Sequence, residues 1–230
     1  MNVDMNSIEK TLEYHYKDKQ LLINALTHSS FVNEKVQIQN NERLEFLGDA
    51  VLELVISDYL YQNHHQLSEG EMTKLRSRIV CTESLAKSAS LLHLGQYILL
   101  GKGEENTGGR DRKSTLANSF EAVIGSIYLD GGLEGVKRFI LSKLKNNIHD
   151  ALEGKLVFDY KTKIQEVIQQ NPQNVMEYML ESEAGPEHHK QFNIHLLMNG
   201  EIIGRGTGNS KKEAEQQAAY QGLMFLGILP

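Results

Sequence analysis

The stretch from Asn40 to Tyr61, NNERLEFLGDAVLELVISDYLY, constrains this chain more than any other. Leu44, Leu47, Val51, Leu54 and Val55 recur at three and four residues, which predicts one long helix buried on several sides. Glu42, Glu45 and Asp49 stand at i, i+3 and i+7 within it, so at about 100° per residue they project within roughly 60° of one another. Like charges at that spacing repel, and Phe46, Ala50 and Val51 beside them strip their solvation. The face therefore stabilises nothing unless a cation sits on it. The spacing allows a solvated acidic edge or, more sharply, a divalent-metal site facing a phosphate.

A second helix repeats the arrangement. STLANSFEAVIGSIYLD is expected to bury Leu116, Phe120, Val123, Ile124 and Ile127 and to end at Gly131-Gly132. Asn118 and Glu121 lie one turn apart on it. Oxygen ligands without His or Cys favour magnesium or manganese over zinc. His64 and His65 are adjacent rather than at i, i+4, so they make no zinc pair.

Scaffold surrounds these two helices. Ser7 to Tyr16 reads as a short helix, and Asp18 caps a second, KQLLINALTHSSF, with Leu21, Leu22, Ala25 and Leu26 on one side. His28 beside Ser29 and Ser30 suggests a nucleophile pair, but no G-x-S-x-G turn or acidic partner accompanies it. Phe31 to Asn41 is polar and is expected to be a loop. Ser68 with Glu71 forms a capping box ahead of Met72, Leu75 and Ile79. Glu69, in that first turn, either favours the helix dipole or points at the same metal centre. A helix is expected over Thr82 to Leu92. The Gly-rich LGKGEENTGGRDRKS fits no G-x-x-x-x-G-K-[ST] spacing and reads as a mobile basic loop carrying Arg110, Arg112 and Lys113.

The C-terminal part has a different pattern. FDYKTKIQEVIQQ is an amphipathic helix through Tyr160, Ile164, Val167 and Ile168, entered from a short linker at Glu153-Gly154-Lys155. VMEYMLESEAG and KQFNIHLLMNG alternate as strands, the second with Phe192, Ile194, Leu196 and Met198 on one face. Asn199-Gly200 is a hairpin turn into EIIGRGTG. A last helix opens with a capping box at Ser210 and Glu213 and turns Ala214, Ala218 and Ala219 inward. The order is αβββα. Lys211 and Lys212 occupy that helix's first turn, where the dipole disfavours cations. They are either a solvated face offset by Glu213 and Glu215 or a phosphate site made with the helix N–H groups.

Bulk charge argues against a basic module. Residues 1–150 carry 17 Lys and Arg against 20 Asp and Glu, and residues 151–230 carry 7 against 10. Contact with nucleic acid must therefore come from local clusters. Cys81 is the single cysteine, which excludes an intrachain disulfide and suits a reducing compartment. The N-terminus has no apolar leader segment, and no 18-residue apolar run occurs. A cytoplasmic protein without a membrane partner is expected.

NERLEFLGDAVLE, ALTHSS, SEGEMTKLR, LGKGEENTGGR and LANSFEAVIGSIYLDGG together resemble the nuclease domain of bacterial ribonuclease III, across about residues 6–150. KTKIQE, GPEHHK and SKKEAEQQAA resemble the double-stranded-RNA-binding domain, across about 157–227. The expected fold class is an all-α nuclease domain over 1–152, a linker over 153–156, and an α+β (αβββα) RNA-binding domain over 157–230. The resemblance implies hydrolysis of double-stranded RNA by a homodimer, dependent on Mg2+ with Mn2+ as a possible substitute, and acting on RNA rather than DNA. Position by position it implies Glu45, Asp49, Asn118 and Glu121 as metal ligands, with Asp49 and Glu121 catalytic and Glu42 and Glu69 as supporting acids. The family usually has Asp where this chain has Asn118. In the C-terminal domain, Gln165, Glu166, His188, Lys211 and Lys212 would touch RNA. Such modules span about 16 base pairs and read A-form shape more than sequence.

The mechanism so implied is two-metal phosphodiester hydrolysis leaving 5′-phosphate and 3′-hydroxyl ends, with ribosomal-RNA precursors and structured messages as substrates. Helix rise places Glu45 and Asp49 about 6 Å apart along the axis and Glu42 about 10 Å from Asp49. Glu42 is thus better placed to orient water or RNA than to share their ion. The alternative is a double-stranded-RNA-binding regulator that kept the fold and lost cleavage, with Asn118 as its only support.

Overall fold

The computed structural model describes residues 4–32, 39–153, 160–185 and 190–229. By its contacts the chain divides into two units, Met1–Leu156 and Val157–Pro230. The first is helical in its described residues, apart from one parallel bridge between Thr27 and Leu99. No helix among them is long and apolar enough to cross a membrane.

Helix α1 (Met5–Leu12) starts at Asp4, and α2 (Lys19–Ala25) starts at Asp18, whose carboxylate accepts from the Gln20 N–H as a cap should. The helix expected to run on to Phe31 stops at Ala25. Leu26 accepts from the Leu99 N–H at 2.8 Å and His28 N–H donates to the Leu99 carbonyl at 3.0 Å, so tertiary pairing takes these backbone groups out of the helix. A short α3 (Ser29–Val32) follows, which makes the first residues of the expected loop helical; 33–38 lie outside the described residues.

Helix α4 (Glu42–Asn63) is the long helix expected from the apolar period. It packs on α8 (Lys113–Lys143), burying Val51, Leu52, Val55, Ile56 and Leu60 together with Leu116, Phe120, Val123, Ile124 and Ile127. Leu54, expected in the core, is 55% exposed. It falls on the side of α4 turned away from α8, in a stripe with Phe46 and Tyr61, which are 80% and 67% exposed. Helix α8 is broken at Gly131-Gly132, where its first helical segment was expected to end. Only Gly132 leaves helical geometry, at φ 70° and ψ −174°, and the helix resumes to Lys143. A positive φ carries no Cβ penalty at glycine, so the chain kinks and continues.

Helix α5 (Glu69–Ile79) opens with the expected reciprocal capping box between Ser68 and Glu71, and α6 (Thr82–Leu91) follows. The segment after α6 departs from the expected mobile basic loop. It forms a 3-10 turn at Leu94–Tyr97, helix α7 (Lys102–Asn106) and a second turn at Gly109–Asp111. Arg110 donates to the carbonyls of Gly95 and Ile98 and pairs with Glu105 at 2.7 Å, while Arg112 pairs with Glu104. Both arginines are spent internally. Helix α9 (Lys145–Leu152) is tied down by the buried Asn147 amide, which donates to Ser84 and Ser88.

The second unit runs α10 (Tyr160–Ile168), β1 (Met176–Ala184), β2 (Gln191–Met198), β3 (Glu201–Gly208) and α11 (Lys211–Phe225). The strands form one antiparallel sheet in sequence order. Asn199 and Gly200 both have positive φ, 54° and 85°, the signature of the tight turn that matches strand twist. Ile194, Leu196 and Ile203 meet Ile164, Ile168, Ala214, Ala218, Ala219 and Leu223 in its core. Ser210 accepts from the Glu213 N–H at 3.2 Å, but the Glu213 carboxylate takes the Asn209 N–H at 2.8 Å. The expected box is thus displaced by one residue.

Candidate active site

Helices α4 and α8 cross where each carries a glycine. A Cβ on Gly48 would lie 1.8 Å from the Glu121 carbonyl oxygen, and one on Gly125 would lie 2.3 Å from that of Leu44. Both distances are far inside van der Waals contact, so any larger residue must push the helices apart. The close approach sets Glu121 against the turn of α4 that carries Glu45 and Asp49.

Electrostatics follow from that packing. Burial, reinforced by Asp49 and Glu45, pushes the Glu121 carboxyl up to about 7. Glu45 is also raised, chiefly by burial and then by Glu42 and Asp49, while a hydrogen bond from the Asn118 side chain works in the opposite direction. No ion pair among the described residues reaches Glu45, Asp49 or Glu121. Nor do any three His, Cys, Asp or Glu side chains among them stand close enough to enclose an ion. The acids meet at electrostatic range. Their donor set is all oxygen, with excess negative charge and no basic partner among the described residues, which fits a hard divalent cation completed by further ligands.

Glu42, exposed at the start of α4, adds its charge to Glu45 from the edge of this group. Glu69 lies elsewhere. It accepts from the Thr73 hydroxyl at 3.1 Å and lines a groove of about 560 Å³ with Leu54, Asp58, Tyr61, Met72 and Arg76, beside the far end of α4. The structure therefore gathers Glu42, Glu45, Asp49, Asn118 and Glu121 and leaves Glu69 apart. His28 joins no catalytic pair: its Nδ1 meets the Ser30 hydroxyl at 2.8 Å, and that oxygen accepts from the Gly101 N–H at 3.0 Å, clamping THSS to the segment after Leu99.

In the second unit Gln165 and Glu166 are exposed on α10, and Lys211 and Lys212 are exposed in the first turn of α11. The Lys211 ammonium lies 6.0 Å from the Phe192 ring centre. His188 lies outside the described residues. The reading of the sequence passed over Gly48 and Gly125, which make the crossing possible. Their signal was present in FLGD and VIGS, as glycine on the buried side of each ligand helix.

Residues 18–148 match the Ribonuclease-III-like family, and residues 160–226 match the double-stranded RNA binding motif. Ribonuclease 3 of Pelotomaculum thermopropionicum is 51% identical over 219 residues, 94% of this chain and 91% of that protein. Ribonuclease 3 of Caldanaerobacter subterraneus subsp. tengcongensis is 49% identical over 223 residues, covering 96% and 98%. Among solved structures, the nuclease domain of ribonuclease III from Campylobacter jejuni superposes with a TM-score of 0.59 at 46% identity, covering 64% of this chain and 98% of that one. Two oxygen-bearing helices crossed at glycine, followed by an αβββα unit that matches an RNA-binding motif, make this chain a member of the ribonuclease III family, an endoribonuclease acting on double-stranded RNA.

Proposed function

We propose that this endoribonuclease cleaves by two-metal hydrolysis at the α4–α8 crossing, leaving 5′-phosphate and 3′-hydroxyl ends. The observation that carries the reading is the Gly48–Glu121 approach, which crowds carboxylates whose repulsion a bound cation would relieve. Family membership suggests a divalent metal, and the all-oxygen donor set favours magnesium, with manganese able to replace it. Bound there, the ions would activate water and stabilise the leaving 3′ oxygen. Glu45, Asp49 and Glu121 supply negative ligands and Asn118 a neutral oxygen. Asp49 and Glu121 are the catalytic carboxylates and Glu42 orients water or RNA at the rim, while Glu69, in its separate groove, is assigned a supporting role by family resemblance alone.

The domains divide as 1–152 for cleavage and 157–230 for duplex binding, joined by 153–156. Within the second, Gln165, Glu166, His188, Lys211 and Lys212 make the contacts with RNA. A homodimer would present two cleavage sites to one duplex. The exposed stripe of Phe46, Leu54 and Tyr61 borders the acidic face and supports a second copy seated there. The Campylobacter jejuni nuclease domain has a region described as involved in dimer formation. Cytoplasmic processing of ribosomal-RNA precursors and structured messages is the role that suits such an activity. Incubating long duplex RNA, single-stranded RNA and duplex DNA with and without magnesium, then analysing the ends, tests the whole reading. Cleavage of duplex RNA without metal, or products ending in 3′-phosphate, would overturn it.

A further inference from the structure

The first described N–H groups of helix α10 reach across the domain: Tyr160 N–H donates to the Gln216 side-chain oxygen at 2.8 Å, and Lys161 N–H to the same atom at 3.3 Å. Gln216 belongs to α11. Beside it Glu215, also on α11, pairs with the Lys161 ammonium at 2.6 Å, and that ammonium lies 5.0 Å from the Tyr178 ring centre. Tyr160 in turn stacks edge-on against Tyr220 of α11, with ring centres 5.0 Å apart. An N-terminal cap contributes about 0.5 to 2 kcal/mol to a helix when supplied locally. Here the acceptor comes from 56 residues away, so the start of α10 forms in register with α11.

Both helices carry proposed contacts with RNA. Gln165 and Glu166 project one turn beyond the capped end of α10, and Lys211 and Lys212 open α11 one to two turns before Gln216. An A-form duplex presents a minor groove and flanking phosphates at fixed separation, and reading it by shape requires the protein's contacts to hold a matching separation. We infer that Gln216 is a positioning residue for duplex recognition: by capping α10 from α11 it sets the spacing between the two RNA-contacting helices, and with it the preference for A-form over B-form duplexes. The inference rests on the reading of α10 and α11 as the RNA-facing helices. The sheet enters only indirectly, since β3 packs against α11 through Gly204 and Gly206, leaving the helix little freedom to follow a displaced α10.

The test uses the full chain with metal chelated, so that binding is measured without cleavage, on a 20-base-pair RNA duplex and a DNA duplex of equivalent sequence. Gln216→Met keeps length and packing but removes the acceptor, whereas Gln216→Glu keeps the acceptor. The Met variant is expected to lose about two- to thirtyfold in RNA affinity, the range that one lost cap corresponds to. Its preference for RNA over DNA should narrow by a similar factor, while the logarithmic salt slope stays unchanged because no phosphate contact is lost. The Glu variant should restore the preference. A Met variant whose RNA-to-DNA preference equals that of the wild type, or whose salt slope falls as after loss of a lysine contact, overturns the inference. Replacing Lys211 and Lys212 with Ala serves as the control. If that change leaves binding intact, the RNA-facing assignment itself has failed; if it weakens binding while Gln216→Met does not, only the positioning role has.

Discussion

Two carboxylates on α8, nine residues apart, have opposite surroundings. Glu121 sits among Glu45 and Asp49 and is pushed up to about 7 by burial and those neighbours. Asp130 is held below the usual carboxylate range although burial alone would raise it, because the N–H groups of Asp18 and Lys17 and the Tyr14 hydroxyl all donate to it. One acid is satisfied by the fold; the other is left in need of a cation. A partly exposed charge given donors stabilises structure, whereas a more buried one crowded by like charges is tolerated where a ligand relieves it.

The comparison breaks most sharply at Glu121. Glu121→Gln should lower cleavage by about a thousandfold or more while duplex binding survives, because a metal-binding charge is lost and the RNA-binding unit is untouched. With metal chelated at pH 8 the same variant should melt at a higher temperature than wild type, since one repelling charge is gone. A lower melting temperature there would mean that Glu121 is structural after all.

Asp130→Asn is expected to do the reverse: cleavage per folded molecule stays near wild type while the melting temperature falls by about 2 to 5 °C as charge-assisted hydrogen bonds weaken. The pH dependence has a definite sign. A depressed folded pKa contributes stability that is present above the ordinary Asp value of 3.8 and is lost as pH falls through the lowered value. Acid titration of melting temperature should therefore be flatter for Asp130→Asn, and identical titrations would remove Asp130 from the structural side of the comparison.

A similar contrast applies to cations. Arg110 and Arg112 are neutralised by Glu105 and Glu104, whereas Lys211 and Lys212 stand exposed at a helix start. Replacing both lysines with Ala should weaken duplex binding across sequences and reduce the logarithmic salt slope by about 2, measured by titration at several salt concentrations. An unchanged slope would restore the solvated-face reading.

The smallest expected effect belongs to Asn118. Its neutral side chain lies beside Glu45, so the site should hold cations more weakly than it would with a carboxylate there, without losing its shape. Asn118→Asp should lower the magnesium concentration for half-maximal rate by a few-fold, with less change at saturating metal. Superimposable magnesium titrations would show that Asn118 is not a ligand.

Much of the fold was legible because it is local. The period of α4, the Asp18 cap, the Ser68–Glu71 box and the Asn199-Gly200 turn each depend on residues a few positions apart, and each formed where expected. The failures share a cause. α2 stops at Ala25 because Leu99 competes for its backbone, and the glycine-rich segment is ordered because Arg110 finds carbonyls 12 and 15 residues away. Leu54 has the right period for the core but lies on the side of α4 that α8 does not cover.

The amino-acid sequence by itself determined which oxygen-bearing side chains share a helix face, since helical geometry converts spacing into direction. It also determined the αβββα order of the second unit, through alternation and turn chemistry. Tertiary structure alone decided which charges meet. Glu121 is 72 and 76 positions from Asp49 and Glu45, and only the crossing at Gly48 and Gly125 sets them together. In the same way only folding brings Gln216 to the first turn of α10. The physical reason is range: propensity and capping act over a turn or two, while Coulomb repulsion and backbone contact depend on distances that chain spacing leaves open until the helices pack.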